Sequence, residues 1–181
     1  MRKYLCLLPF LLLSLTAQAQ NNDLVSFNQQ QAEVLKIGML VLGVWALLNI
    51  VIGSFRLTKA SRSKRYFHQM NIYWNIINVI IAGSALYFIL SADAAARPLA
   101  ESVRLHFWYM RLLYLSIGLD IAFLMLGAYL KEYSKNSPKT EQQQGWGQSI
   151  VLQGIFLLIL DVVLVALLER PADELLRLLQ G

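Results

Sequence analysis

The sequence IVLQGIFLLILDVVLVALL fills residues Ile150–Leu168 and is apolar except at Gln153, Gly154 and Asp161. Its length, nineteen residues, is about what an α-helix needs to cross the hydrocarbon core of a bilayer. Three similar runs come before it, at Ile37–Phe55, Ile72–Leu90 and Leu112–Leu130. In hydrocarbon each run must be helical, because a helix pairs every backbone N–H and C=O within its own segment. The sequence therefore predicts an all-α polytopic membrane protein built as a four-helix bundle.

The composition excludes an ordinary soluble domain. Apolar side chains make up 57% of the 181 residues and charged side chains only 15%, whereas soluble domains average about a quarter charged. The net charge of +5 alone would allow nucleic-acid binding, but the Lys and Arg residues stand at the ends of the apolar runs. We therefore expect the lipid bilayer as the partner of these charges, and no nucleic acid.

The first residues have the pattern of a secretory signal peptide. Arg2 and Lys3 precede the apolar stretch Leu5–Leu15, and Ala17-Gln18-Ala19 supplies a small-x-small cleavage motif. The stretch is too short to span a bilayer, so we expect cleavage before Gln20, with an uncleaved short anchor as the alternative. The predicted organisation is a signal peptide at 1–19, a four-span domain at 20–170 with spans near 34–56, 68–91, 109–131 and 147–169, and a short amphipathic tail at 171–181.

Cysteine and histidine positions argue against common cofactors. Cys6 is the only cysteine and lies in the predicted signal peptide, so the mature protein would have no thiol for disulfides, thiol redox chemistry or metal ligation. His68 and His106 fall at opposite edges of the membrane and are too far apart to ligate one haem iron. We assign no cofactor, no metal site and no catalytic residue.

Orientation follows from the signal peptide and from the basic residues. A cleaved signal leaves the new amino terminus outside, so the first loop, Arg56 to His68, should be cytoplasmic; it carries Arg56, Lys59, Arg62, Lys64 and Arg65. The second cytoplasmic loop adds Lys131, Lys135 and Lys139, whereas the connection from Ser91 to Arg111 has three arginines. This asymmetry obeys the positive-inside rule. We predict a bacterial inner-membrane protein with both mature termini in the periplasm, whose first loop also contacts anionic lipid.

Local signals also predict where three helices begin. Ser26 with Gln29, and Thr140 with Gln143, fit capping boxes before the first and fourth spans. Pro98 with Glu101 fits an opening turn upstream of the third span.

Polar residues inside the spans distinguish this chain from four inert anchors. Asp120 and Asp161 lie close to the middle of their spans, where an acid costs roughly 2.5–3.5 kcal/mol on the insertion scale. Asn71, Asn75 and Asn78 share one helical stripe, with His68 continuing it into the loop. No Lys or Arg lies at the same depth, so we expect each acid to be protonated or hydrogen-bonded to the amides. The polar groups should face one another in a single layer inside the bundle.

Stretches of the chain resemble an uncharacterised bacterial family, a domain of unknown function with four predicted spans. The matching stretches are Tyr66-Phe67-His68-Gln69-Met70-Asn71, Trp74-Asn75-x-x-Asn78, Gly118-Leu119-Asp120, Gly147-Gln148-Ser149, Leu152-Gln153-Gly154 and Asp161. The resemblance implies a fold and no activity. Position and chemistry make these residues the candidate intramembrane site: Asn49, Asn71, Trp74, Asn75, Asn78, Asp120, Gln148, Gln153 and Asp161.

Two functions remain open at this point, and an enzyme is a weaker third. The first is a non-enzymatic bundle that associates with itself or with a membrane partner, its polar layer setting the helix register. The second is a small proton- or ion-coupled transporter or channel subunit that uses Asp120 and Asp161, and it predicts a wet cavity between spans two, three and four. An enzyme with His68 or an Asp as general base has no nucleophile–base pair or metal spacing to support it.

Overall fold

A computed structural model describes the backbone of residues 7–170 and the side chains of residues 22–170. It contains four long helices: α1 (Leu7–Leu57), α2 (Arg62–Ser91), α3 (Leu99–Tyr133) and α4 (Thr140–Glu169). A 3₁₀ turn at Ser134–Asn136 follows α3. The all-α prediction is confirmed, and all four helices are long and apolar enough to cross a membrane. The predicted tail at 171–181 lies outside the described residues, and cleavage of the signal peptide stays a prediction.

The helices are longer than the apolar runs, and the connections between them are correspondingly short. α1 and α2 are joined by residues 58–61 alone, so His68 lies inside α2 and not in a loop. Residues 62–67 contain no Gly or Pro, so nothing interrupts the helix where it leaves the apolar run. Pro98 immediately precedes α3, as expected. α4 begins at Thr140, but its N-cap residue is Lys139 and makes no side-chain cap hydrogen bond, so the predicted capping box of Thr140 and Gln143 is wrong. Ser26 lies inside α1, so the prediction of a helix start there is wrong.

The helix α2 buries its polar face and exposes its apolar face, the opposite of a surface helix in a water-soluble protein. Its buried residues are His68, Asn71, Asn75, Asn78 and Ala82, which follow one helical stripe. The opposite face exposes isoleucines, among them Ile77 and Ile80. A surface helix in water buries the apolar face instead. Apolar side chains outside and amides inside are the arrangement that a lipid solvent favours.

Glycines set the closest helix contacts of α4. A β-carbon built on Gly147 would lie 2.7 Å from the Gly127 carbonyl oxygen of α3, and one built on Gly127 would lie 2.8 Å from the Gly147 oxygen. Gly145 packs in the same way against the backbone of α2 at Phe67. Small residues at such crossings let helix backbones approach closely. α4 therefore packs between α2 and α3, and it also contacts α1.

Apolar packing is concentrated at the end of the bundle that holds the last turns of α4. The buried cluster there comprises Leu35, Met110, Leu113, Leu164, Val165 and Leu168. It joins α1, α3 and α4 at the end opposite to the α1–α2 and α3–α4 connections. We call this end the outer end and the other end the inner end. The amide-rich stripe of α2 faces the region between them.

Candidate functional site

Five amide side chains and one indole form a connected hydrogen-bond network between α1, α2 and α4, which we call the amide cluster. Asn71 Nδ2 of α2 donates to Asn49 Oδ1 of α1 at 2.8 Å. Gln153 Nε2 of α4 donates to Asn71 Oδ1. Asn71 thus joins three helices through one side chain. Gln153 is fully buried and Asn71 nearly so.

The indole of Trp45 completes the connection between α1 and α4. Its Nε1–H donates to Gln153 Oε1 at 3.0 Å. Its ring also stacks on Phe156, with centroids 4.0 Å apart and planes 6° from parallel. Asn49 Nδ2 donates back to the Trp45 carbonyl oxygen at 2.8 Å, one turn away in α1. Trp45 is absent from the predicted site, although its position four residues before Asn49 gave a signal that could have included it.

Asn75 and Asn78 extend the cluster along α2. Asn75 Nδ2 donates to the Asn71 carbonyl oxygen at 2.7 Å and lies 3.3 Å from Asn71 Oδ1. Asn78 Nδ2 donates to Asn75 Oδ1 at 3.4 Å. Within the described residues, none of the buried amide atoms of this cluster lacks a partner. The amides therefore satisfy one another across the bundle, as buried polar groups must where no water can reach them.

Trp74 and Gln148 are two of the four predicted site residues that lie apart from the amide cluster. Trp74 packs edge-on against Phe123 of α3, with ring centroids 4.6 Å apart. It therefore joins α2 to α3 through an aromatic contact. Gln148 lies on the exposed face of α4, near the inner end.

The two acids form a separate pair on α3 and α4. Asp120 is 3% exposed, and its backbone carbonyl faces Gly154 of α4. Asp161 is half-buried on α4 and lies near Ser116 and Asp120 of α3. Asp120 Oδ2 is buried and has no hydrogen-bond partner among the described residues. The acids lie beside the amide cluster and are not hydrogen-bonded into it.

The chemistry available to these groups is limited. Asn and Gln side chains donate and accept hydrogen bonds, but they carry no charge and no labile proton. No group of three or more His, Cys, Asp or Glu residues in the described part of the chain could hold a metal ion. Asp120 and Asp161 are the only members of the predicted site that can gain or lose a proton. Proton or cation chemistry at this depth would therefore have to use this pair.

Basic side chains gather at the inner end. Arg56, Lys59, Arg62, Lys64 and Arg65 are all exposed there. The α3–α4 connection brings Lys131, Lys135 and Lys139 to the same end, since Arg62 contacts Glu141 at 3.7 Å and Ser63 donates to Gln144. The outer end carries Arg97, Arg104 and Arg111. The chain thus places its two most basic connections on one side of the bundle.

A second buried polar group lies at the outer end, where sequence reasoning assigned no site. Asn28 and Gln31 of α1 face Ser102 and His106 of α3, and all four are at most 5% exposed. Gln31 Nε2 donates to His106 Nδ1 at 3.0 Å, and Asn28 Nδ2 donates to the Arg97 carbonyl oxygen at 3.2 Å. We call these four residues the outer polar cluster. The i, i+3 spacing of Asn28 and Gln31, followed by Leu35, places them on one face of α1 but does not by itself indicate a buried site.

Comparison with curated proteins and with solved structures gives no match. A family model, described as a family of unknown function (DUF6992), matches residues 41–162. The match covers the inner part of α1, all of α2 and α3, and α4 as far as Val162, and so includes the amide cluster and both acids. It confirms the resemblance to a domain of unknown function. The chain belongs to DUF6992, a family of unknown function.

Proposed function

We propose that this chain is a non-enzymatic inner-membrane protein that acts by associating with itself or with a membrane partner, and that the amide cluster fixes the register of its helices. The observation that carries this proposal is the closed hydrogen-bond network through Asn71 and Gln153. Its amides bind one another and leave no buried amide atom of the cluster free for a substrate. Hydrogen bonds between membrane helices average only about 0.6 kcal/mol each, so their main effect is on geometry.

Exposed glycines support an association surface. A β-carbon built on Gly83 of α2 or on Gly118 of α3 meets no atom within 4 Å. Both glycines lie on outward faces among apolar side chains such as Ile80 and Leu119. A second helix could approach closely at such positions, because small residues bring helix backbones together in lipid. The internal glycines of α4, in contrast, are already packed against α2 and α3.

The proposed orientation puts the inner end in the cytoplasm and both mature termini in the periplasm, with the signal peptide cleaved before Gln20. The exposed basic side chains of the two inner connections support it, because cytoplasmic loops are enriched in Lys and Arg. Arg56, Lys59, Lys64 and Arg65 are exposed and can contact anionic headgroups, each contributing on the order of 1 kcal/mol near a charged surface. Arg62 is exposed too, but it already contacts Glu141.

The oligomeric state of the protein in lipid nanodiscs tests the association proposal. We expect native mass spectrometry to show oligomers, or a co-purified partner from the source membrane. Gly83→Leu and Gly118→Leu should shift the distribution toward the monomer. Ile77→Leu, which changes an exposed position with little change in volume, is the matched control. A monomeric wild-type protein that co-purifies with no partner would contradict the proposal.

A second function is favoured by one specific observation, the buried and unpaired Oδ2 of Asp120 beside Asp161. Such a pair could exchange a proton or bind a cation in a small transporter or channel subunit. Two openings of the structure lie at the outer end, and neither acid lines them. Measurement of proton flux into liposomes decides between the two functions. If Asp120→Asn and Asp161→Asn abolish the flux and leave the folded yield unchanged, the result would favour the transporter.

A further inference from the structure

The outer polar cluster leaves hydrogen-bond acceptors without partners. Because Gln31 uses Nε2 to reach His106 and Asn28 uses Nδ2 to reach Arg97, the carbonyl oxygens of both amides are left over. Asn28 Oδ1 and Gln31 Oε1 are buried and unpaired within the described residues. An unpaired buried acceptor costs on the order of the hydrogen bond that it lacks, so a donor from outside the chain would be stabilised there.

Gln31 also lines a small cavity at the edge of the outer polar cluster. The cavity has a volume of about 50 Å³ and is lined by Gln31, Arg97, Tyr109 and the apolar side chains of Leu35, Phe88 and Ile89. A buried amide residue and an arginine thus border the same apolar-walled cavity. A group that carries both a donor and an anion would satisfy the two polar residues together.

The cavity adjoins a larger crevice between α1 and the end of α2. The two share Ala32, Ile89 and Ala92 as lining residues, and the crevice has a volume of about 600 Å³. One wall is polar and comes from α1, including Glu33 and Lys36, which pair with each other. The other wall is apolar and includes Ile89 and Leu90 of α2. Such a two-sided crevice at the end of a membrane helix suits an amphipathic molecule.

We propose that this crevice binds a phospholipid whose headgroup carries a primary ammonium group. The ammonium donates to Gln31 Oε1, the phosphate pairs with Arg97, and an acyl chain runs along Phe88, Ile89 and Leu90. The placement matches the membrane interface, since the crevice lies at the end of α2, where the apolar run stops. This inference rests on the membrane location in the proposed function, but not on association or on the amide cluster.

Lipid selectivity of the intact protein tests the inference. The protein is purified in detergent, exchanged with equal amounts of phosphatidylethanolamine, phosphatidylcholine and phosphatidylglycerol, and analysed by native mass spectrometry. Phosphatidylcholine keeps the phosphate but has no N–H donor, and phosphatidylglycerol has no ammonium. We expect about a tenfold preference for phosphatidylethanolamine over phosphatidylcholine, the effect of one charge-assisted hydrogen bond. Equal retention of the two lipids by the wild-type protein would overturn the proposal.

Two variants test whether the crevice causes the preference for phosphatidylethanolamine. Gln31→Leu should reduce the preference over phosphatidylcholine to about onefold, because the acceptor is lost. Arg97→Gln, at a half-buried position, should weaken retention of all three lipids about equally, because each has a phosphate. Arg104→Gln removes an exposed arginine at the same end and should change nothing. Unchanged lipid binding in both crevice variants would place the lipid elsewhere and overturn the proposal.

Two further measurements separate the possible outcomes. Soluble phosphoethanolamine at millimolar concentration should not displace the bound lipid, because it lacks the acyl chain that lies along α2. Displacement would mean that the site takes a free headgroup, and the lipid proposal would be wrong. The oligomer distribution recorded in the same spectra reports on association separately. A monomer that retains phosphatidylethanolamine would contradict the proposed association and leave the lipid site standing.

Discussion

Gln153 of α4 donates a hydrogen bond to Asn71 of α2, and the same Asn71 side chain donates to Asn49 of α1. Two parallel helices and one antiparallel helix are thereby held at a single relative height. Sliding any one of them by a turn would leave buried amides without partners in a medium that offers no water. We therefore expect the amide cluster to act against alternative registers, whatever the protein binds.

Replacing Gln153 by leucine should destabilise the bundle. The change leaves Trp45 Nε1 and an acceptor site of Asn71 unpaired while keeping a similar side-chain volume. We expect the free energy of unfolding to fall by about 1–2 kcal/mol, measured by SDS or urea titration in mixed micelles. Gln148→Leu is the matched control, because Gln148 is exposed on the same helix. Equal stability of the two variants would show that the buried hydrogen bonds contribute nothing.

Trp45 and Gln153 should show energetic coupling. Trp45→Phe removes the indole N–H and retains an aromatic ring against Phe156, while Gln153→Leu removes the acceptor. Since both changes break the same hydrogen bond, the double variant should lose about 0.5–1.5 kcal/mol less than the sum of the single losses. A double-mutant cycle of unfolding free energies measures this difference. Strict additivity would contradict the hydrogen bond between α1 and α4.

Much of the fold could be predicted because the apolar runs are long, and a lipid solvent leaves the backbone few options. The stripe of Asn71, Asn75 and Asn78 was visible for a related reason, since helical spacing alone determines which residues share a face. Hydrogen-bond partners were not visible in the same way. The contact of Trp45 with Gln153 depends on how far α1 and α4 are offset along their axes, and the helical spacing within one segment does not determine that offset.

The outer polar cluster could not be predicted for a different reason. Asn28 and Gln31 stand before the first apolar run, where a polar residue is ordinarily solvent-exposed. They are buried because α1 continues as a helix beyond that run and packs against the first turns of α3. Only the tertiary contact with His106 and the Arg97 backbone distinguishes them from the exposed Gln29 and Gln30 beside them.

Glycine positions should divide into two classes when they are changed to alanine. Gly147→Ala places a methyl group 2.7 Å from the Gly127 carbonyl oxygen, so α3 and α4 must move apart. We expect a loss of about 1–3 kcal/mol in unfolding free energy. Gly83→Ala meets no atom within 4 Å and should be neutral or stabilising by up to about 1 kcal/mol, because alanine is the better helix former. The same titration in micelles compares the two, and a tolerated Gly147→Ala would refute the close crossing.

Asp120→Asn should be tolerated by the fold. The two side chains have the same shape, and Asp120 Oδ2 has no described partner to lose, so we expect a change in unfolding free energy within about 0.5 kcal/mol. Asp120→Lys, which buries a cation between α3 and α4, should abolish the folded yield and serves as the positive control. A large loss in Asp120→Asn would reveal a hydrogen bond that depends on the carboxyl group.

Cysteine accessibility should report the orientation of the bundle. In a Cys6→Ser background, Lys59→Cys places a thiol in the α1–α2 connection and Ala96→Cys places one in the α2–α3 connection, both at exposed positions. Because the basic connections should lie in the cytoplasm, a membrane-impermeant maleimide added to intact cells should label the cysteine at 96 and spare the one at 59. Permeabilised cells supply the control, in which both thiols react. Labelling of the cysteine at 59 alone in intact cells would reverse the proposed topology, and with it the side of the membrane from which the lipid crevice is filled.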